Sequence, residues 1–295
     1  MNSWRNHITR LEGAYAQKTI DSYSNDFARF AGWCRKKRFK CLPATPETVA
    51  RYIDEIAVDL KVSTVKRRLC AIRKLHHLAG HRGITDDETV LLAVRRAKRS
   101  KPGRPRQALG VTAERRDRML AVCRDDPRGL RDRLLLAVGF DTLCRRSELV
   151  AIRVQDLTRN GNGTYSVLVR RAKNDQEGLG RTAHLSSNAS RLIDFWLEQT
   201  GLTNGPLLRP VYRSSPGNRS LCAASVGRIL KDLARQADFD EEEANRVTGH
   251  SLRVGAAQSL TKRGVGILPI MSAGGWKSMA VVARYVENVE MNLWD

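Results

Sequence analysis

Residues 249–285 read GHSLRVGAAQSLTKRGVGILPIMSAGGWKSMAVVARY and place a His, an Arg, a Trp and a Tyr on one short segment. His250 and Arg253 lie three apart, so one helical turn carries both side chains to the same side. Trp276 and Tyr285 form a second pair, and Gly274 and Gly275 mark a backbone bend before a last helix. A phenol is a poor nucleophile at neutral pH and needs cationic neighbours and hydrogen-bond donors around its target. Arg and His supply these, and the Trp N–H is a rigid donor. The set suits attack on a phosphodiester.

Upstream of this segment the pattern is mixed. Helices are predicted over about 112–124 and 129–141, followed by LCRRSELVAIRVQDL (143–157), read as an apolar helix with Arg145 and Glu148 three residues apart. TYSVLVRRAKNDQEGLGRTAHLS (164–186) reads as a hairpin: an alternating strand after NGNG, a polar loop holding Lys173, and a return strand near 181–185. From Ser190 onward the pattern is helical, interrupted by a loop at 203–220 and by DFDEEE at 238–243, expected as a solvated acidic loop.

The amino-terminal third is all helical. Segments Thr19–Trp33, Pro46–Ile56 and Val62–Leu78 carry apolar residues at helical spacing, the second with Thr45 as N-cap and Pro46 at its first position. In the third, Val65, Leu69, Ile72 and Leu75 share a face, and Lys66, Arg67, Arg73 and Lys74 lie elsewhere. RRAKRSKPGRPR (95–106) holds seven basic residues and no acidic one. Its prolines and glycine disfavour regular structure, so it is expected to be an extended basic linker, with Arg104 and Arg106 crossing a DNA backbone.

The chain has 295 residues, enough for two ordinary domains with cores of their own. With 52 Lys plus Arg against 31 Asp plus Glu, the net charge is +21, the electrostatic footprint of a nucleic-acid binder. The six cysteines show no CxxC pair, and Cys34, Cys41, His76, His77 and His81 fit no common zinc-finger spacing; thiols in a reducing compartment are expected. The longest apolar run, LLLAVGF at 134–140, falls far short of a membrane span. A cytoplasmic, nucleoid-associated protein is expected, acting without a membrane.

Arg145, Lys173, the HSLR of His250–Arg253, Trp276 and Tyr285, in that order, resemble the active-site series of the tyrosine recombinase (phage integrase) family. The resemblance runs from about Thr19 to Val289 and is densest at GHSLRVGAA, AGGWKS and 143–156. Many bacterial members carry His where this chain has Trp276, so the resemblance points to the Cre-like branch. It implies a fold that is mainly α with a small β-hairpin or sheet, in the two-domain tyrosine recombinase architecture. The expected parts are a helical core-binding domain at 1–98, a basic linker at 99–110 and an α+β catalytic domain at 111–295, the two domains clamping duplex DNA.

The resemblance also implies roles. Tyr285 is the nucleophile that forms a 3′-phosphotyrosyl link, Arg145 and Arg253 hold non-bridging oxygens, and His250 and Trp276 add hydrogen bonds. Lys173 protonates the leaving 5′-oxygen, and Glu148 orients its neighbours. By position, Lys18, Thr19, Ser22, Asn25, Thr64, Lys66 and Arg67 are candidates to reach a major groove. The expected partners are a double-stranded DNA target and three further copies in a homotetramer on two sites, passing through a Holliday junction; no cofactor or metal is expected. Only ten residues follow Tyr285, with Met291, Leu293 and Trp294 as a short apolar tail. The alternatives are a telomere resolvase or type IB topoisomerase-like enzyme, or a non-catalytic architectural DNA-binding protein.

Overall fold

The structure, a computed structural model, describes residues 3–103, 107–170, 180–213, 215–287 and 289. The chain divides into two compact units, Met1–Pro105 and Arg106–Asp295. Each has its own apolar core.

The first unit is helical: α1 (Ser3–Ile8), α2 (Gln17–Lys36), α3 (Pro46–Ala57), α4 (Val62–Leu78) and α5 (Glu88–Arg99). The Thr45 hydroxyl accepts from the Thr48 N–H at the start of α3, satisfying one of the amides a helix start leaves open. Helices α2 and α4 pack together, as do α3 and α5, around Phe27, Phe30, Tyr52, Ile53, Ile72 and Leu75. The α4 bounds agree with the periodicity; α5 was not anticipated. It begins at Asp87, whose carboxylate accepts from the Thr89 N–H, and its last turns absorb Arg95, Arg96, Lys98 and Arg99. The first part of the expected extended linker is thus helix, because Val90, Ala93 and Ala97 form a buried stripe. Arg96 pairs with Asp54 at 2.6 Å and Arg95 with Glu88 at 3.1 Å. Arg104 and Arg106 lie outside the described residues. Both ring nitrogens of His76 are engaged, Nε2 by the Ala44 N–H at 3.0 Å and Nδ1 with the Ile72 carbonyl at 2.8 Å, which makes it a core residue rather than a ligand.

The second unit opens with α6 (Ala113–Ala121), α7 (Pro127–Asp141) and the single turn α8 (Arg146–Leu149). The helix expected across 143–157 is reduced to that turn, because Leu143 adopts φ +50° and a 3-10 turn follows at Val154–Asp156. Strands β1 (Leu157–Arg159), β2 (Tyr165–Val169) and β3 (Arg181–His184) form an antiparallel sheet, with Leu157 opposite Val167 and Val169 opposite Arg181. β1 adds a third strand to the expected hairpin. After α9 (Ser187–Thr200), a short pair, β4 (Val211–Tyr212) and β5 (Ser215–Pro216), lies within the expected 203–220 loop.

The unit is completed by α10 (Ala223–Gln236), α11 (Glu241–Arg246), α12 (Ser251–Lys262), α13 (Ile267–Gly274) and α14 (Met279–Val286). The acidic stretch expected to be a solvated loop instead starts α11. Asp240 caps the helix through the Glu243 N–H, the acidic first turn suits the helix dipole, and Glu243 pairs with Arg115 at 2.6 Å.

Helix α12 is the centre of the unit, buried continuously from Ser251 to Ala257. The segment before α6 lies directly on it. Val111 donates its N–H to the Ser251 carbonyl at 2.9 Å, and a Cβ on Gly255 would meet the Val111 oxygen at 1.9 Å. No side chain fits at 255, and Arg253 on the same helix is 1 % exposed. Among the described residues, no helix is long and apolar enough to cross a membrane.

Candidate active site

Arg145 stands at the start of α8 on a carboxylate anchor. Glu148, 5 % exposed, accepts the Arg145 N–H through Oε2 at 3.0 Å and the Arg145 Nη1 through Oε1 at 2.6 Å. One carboxylate thus caps the turn and aims the guanidinium.

His250 precedes the first residue of α12, its N–H donating to Thr248 Oγ1 at 3.1 Å. Its Nε2 lies 2.7 Å from the Tyr285 hydroxyl, with the rings edge to face at 5.4 Å. Burial, then the positive charges of Arg253 and Arg145, push the imidazole down from 6.5 to about 4. His250 is therefore neutral at physiological pH, and Nε2 can accept a proton.

Arg253 projects from α12 with its guanidinium carbon 3.9 Å from the Trp276 ring centroid, and its Nη1 donates to the Leu143 carbonyl. Its Nε and Nη2 are buried and have no hydrogen-bond partner among the described residues. Burial and the neighbouring Arg145 push this guanidinium down to about 10, so the cation is held where it is poorly solvated. Unpaired buried donors on a cation are costly, and an anionic oxygen placed against them would remove that cost.

Trp276, 7 % exposed, follows the turn that ends α13, where Gly275 takes φ +62°. A Cβ on Gly274 would strike the Trp276 ring at 1.9 Å, so glycine there lets the indole fold back over Arg253. Tyr285, on α14, lies 5.7 Å from Trp276 between ring centroids, and its carbonyl accepts from Gln258 Nε2 at 3.0 Å.

α8, α12, the turn after α13, and α14 therefore bring together Arg145, Glu148, His250, Arg253, Trp276 and Tyr285. Lys173 lies outside the described residues. Among the described residues, no group of three or more His, Cys, Asp or Glu is placed to hold a metal ion. Arg181, at the start of β3, reaches the backbone beneath this site and was not singled out from sequence. A lone arginine at a strand start carries no periodicity or spacing that would mark it.

In the first unit, Lys18, Asn25, Lys66 and Arg67 are exposed, while Thr19, Ser22 and Thr64 are half-buried. One of them is anchored: Arg67 on α4 donates to Oδ1 of Asp26 on α2 at 3.1 Å. Asp26 is 2 % exposed, and its other carboxylate oxygen is buried with no partner among the described residues. Asp26 carries no signal in the sequence, because an acidic residue in a basic surface does not advertise itself as an anchor.

The comparisons agree with this architecture. Residues 111–291 match the phage integrase family, and residues 2–83 match the phage integrase N-terminal SAM-like domain. The integrase/recombinase xerD homolog of Selenomonas ruminantium is 34 % identical over 290 residues, covering 94 % of this chain and 84 % of that protein. The recombinase cre of Escherichia phage P1 is 27 % identical over 294 residues, covering 94 % and 86 %.

Among solved structures, a lambda integrase dimer bound to a COC′ core site aligns with TM-score 0.68 and 16 % identity over 100 % of this chain and 80 % of that chain. XerH recombinase bound to palindromic difH substrate, in a post-cleavage complex, aligns with TM-score 0.67 and 16 % identity over 93 % and 76 %. These two likenesses bear on the fold. The chain belongs to the phage integrase family, and is thus a recombinase of the tyrosine type.

Proposed function

We propose that the chain cleaves and rejoins duplex DNA at a specific site through Tyr285. The phenolic oxygen forms a bond to the scissile phosphorus as the bond from phosphorus to the 5′-oxygen breaks, leaving a 3′-phosphotyrosyl link and a free 5′-hydroxyl. The phenolic proton passes to Nε2 of neutral His250, within hydrogen-bond reach at 2.7 Å. A proton from Lys173 completes the leaving 5′-hydroxyl. Rejoining runs the same steps backwards with a 5′-hydroxyl from the partner strand. The phosphoester energy is kept in the covalent link, and no nucleotide is consumed.

Arg145 and Arg253 bind the non-bridging oxygens, and the indole N–H of Trp276 adds a donor. The observation that carries this reading is Arg253: a buried cation with two nitrogens unpartnered among the described residues, beside the His250–Tyr285 pair. Such an arrangement is expensive unless an oxyanion sits there.

The proposed organisation assigns 1–98 to a core-binding domain, 99–110 to a basic linker and 111–295 to catalysis. Lys18, Thr19, Ser22, Asn25, Thr64, Lys66 and Arg67 are assigned to the groove, and Arg104 and Arg106 to the backbone. Four copies on two sites exchange strands in pairs through a Holliday junction, and the protein works at the nucleoid. The tail residues Met291, Leu293 and Trp294 lie outside the described residues.

Incubation with nicked DNA bearing the target site, followed by a denaturing gel, tests the chemistry. A covalent adduct that disappears in Tyr285→Phe is expected. Tight binding of a verified site with no adduct would overturn the proposal, and relaxation of supercoils by the monomer without joining two sites would favour topoisomerase-like chemistry.

A further inference from the structure

Two arginines hold consecutive carbonyls just ahead of Arg145. Arg253 Nη1 takes the Leu143 oxygen, and Arg181 Nη2 takes the Thr142 oxygen at 2.6 Å. Between those carbonyls lies Leu143 at φ +50°, a conformation that leucine rarely adopts and that persists only when its surroundings hold it. Both groups come from the end of α7, where carbonyls have no partner within the helix. Arg181 has a second engagement: its Nη1 donates to the Ala273 oxygen at 2.6 Å, near the end of α13. Its side chain runs against Gly275, where an added Cβ would lie 3.1 Å from the Arg181 Cδ.

We propose that Arg181 is a positioning residue for strand cleavage, tying the ends of α7 and α13 together and so setting the backbone on which Arg145 and Trp276 stand. The inference rests on the function proposed above. Thr142 lies three residues before Arg145, and Ala273 three before Trp276, so one planar fork controls both approaches to the phosphate. An ammonium has one nitrogen and cannot span two carbonyls in the same way. Arg181 touches neither Tyr285 nor a reacting atom in this arrangement; it acts through the two turns. Its charge also reaches the site, adding to the positive potential around Arg253.

The test compares Arg181→Met and Arg181→Lys with the parent chain in single-turnover cleavage of nicked target DNA at saturating protein. DNA affinity and thermal melting are measured alongside. A displaced Arg145 and Trp276 should slow cleavage by Arg181→Met about 100-fold while the Kd moves by less than ~3-fold, with Arg181→Lys intermediate. The same series is run on a substrate whose scissile phosphate is a methylphosphonate, which carries no negative charge for Arg145 to hold. There the Arg181→Met deficit should shrink markedly.

Cleavage at the parental rate at saturation overturns the inference. So does a deficit equal on both substrates that follows the melted fraction, since that marks Arg181 as a brace for stability alone. If the parent chain binds its site but forms no Tyr285 adduct, the proposed function fails and this inference fails with it. A parent that cleaves beside a variant that cleaves equally well removes only the role of Arg181.

Discussion

The Nε2 of His250 lies 2.7 Å from the Tyr285 hydroxyl, joining the start of α12 to α14 across the candidate active site. The pair is meaningful because burial and two arginines keep the imidazole neutral, with its pKa at about 4.

That value gives the first prediction. The folded pKa is below the unfolded value of 6.5, so the neutral form is favoured by folding. His250 therefore contributes stability that is complete above pH 6.5 and is lost as pH falls toward 4. A side-chain NMR titration of the DNA-free protein should place the His250 midpoint near 4. Arg145→Gln should raise it by removing a nearby positive charge and releasing Glu148. A midpoint at 6.5 would show that the site does not hold His250 as the structure describes.

A second prediction concerns the indole lid. Trp276→Ala removes both a buried ring and the face beneath the Arg253 guanidinium, and should cost roughly 3–5 kcal/mol in urea unfolding. Trp276→Phe keeps a ring under the cation and should cost much less. Gly274→Ala places a methyl 1.9 Å from the Trp276 ring, and a ring cannot swing aside as a flexible chain end can. This variant should bind DNA yet lose most of its adduct formation. Undiminished cleavage would mean that the indole position is irrelevant to the chemistry.

Glu148 provides a third. Its carboxylate both caps α8 and holds the Arg145 side chain, so Glu148→Ala should lower stability by roughly 2 kcal/mol. The cleavage rate of the folded fraction should drop further, because Arg145 loses its aim. Glu148→Gln retains an acceptor and should recover part of both effects. Equal cleavage per folded molecule would limit Glu148 to capping.

The fourth prediction tests the groove assignment in the first unit. Arg67 is exposed but fixed by Asp26, a side chain nearly closed off from water. Arg67→Ala should reduce the slope of log K against log salt by about one if the guanidinium meets a phosphate. A change in preferred sequence at constant slope would mark a base contact instead. If neither moves, Arg67 has no place in the interface.

The helices of the first unit were legible because burial writes its period directly into the chain: Val65, Leu69, Ile72 and Leu75 recur on one side of α4, and the α4 bounds follow. Thr45 and Pro46 likewise announced the start of α3. Helix α5 was hidden because its charged side chains outnumber its buried ones, so a basic run looked like a linker. The helix expected after Leu143 failed for the opposite reason. Its apolar residues fill the core from a turn and a strand, and nothing local signals that Leu143 takes φ +50° beside carbonyls held by arginines far along the chain.

The sequence by itself determined the chemical inventory of the candidate site: a phenol, an imidazole, two guanidiniums, an amine, an indole and a carboxylate, in an order that resembles a family of recombinases. Such inventory is covalent and survives in any listing of the chain. The tertiary structure decided which nitrogen faces the Tyr285 hydroxyl, which Arg253 donors lie buried and unpaired, and that Arg181 supports the site from β3. Those properties depend on desolvation and on distances of a few ångströms between residues brought together only by the packed core around α12, where Gly255 and Gly274 leave no space for a side chain.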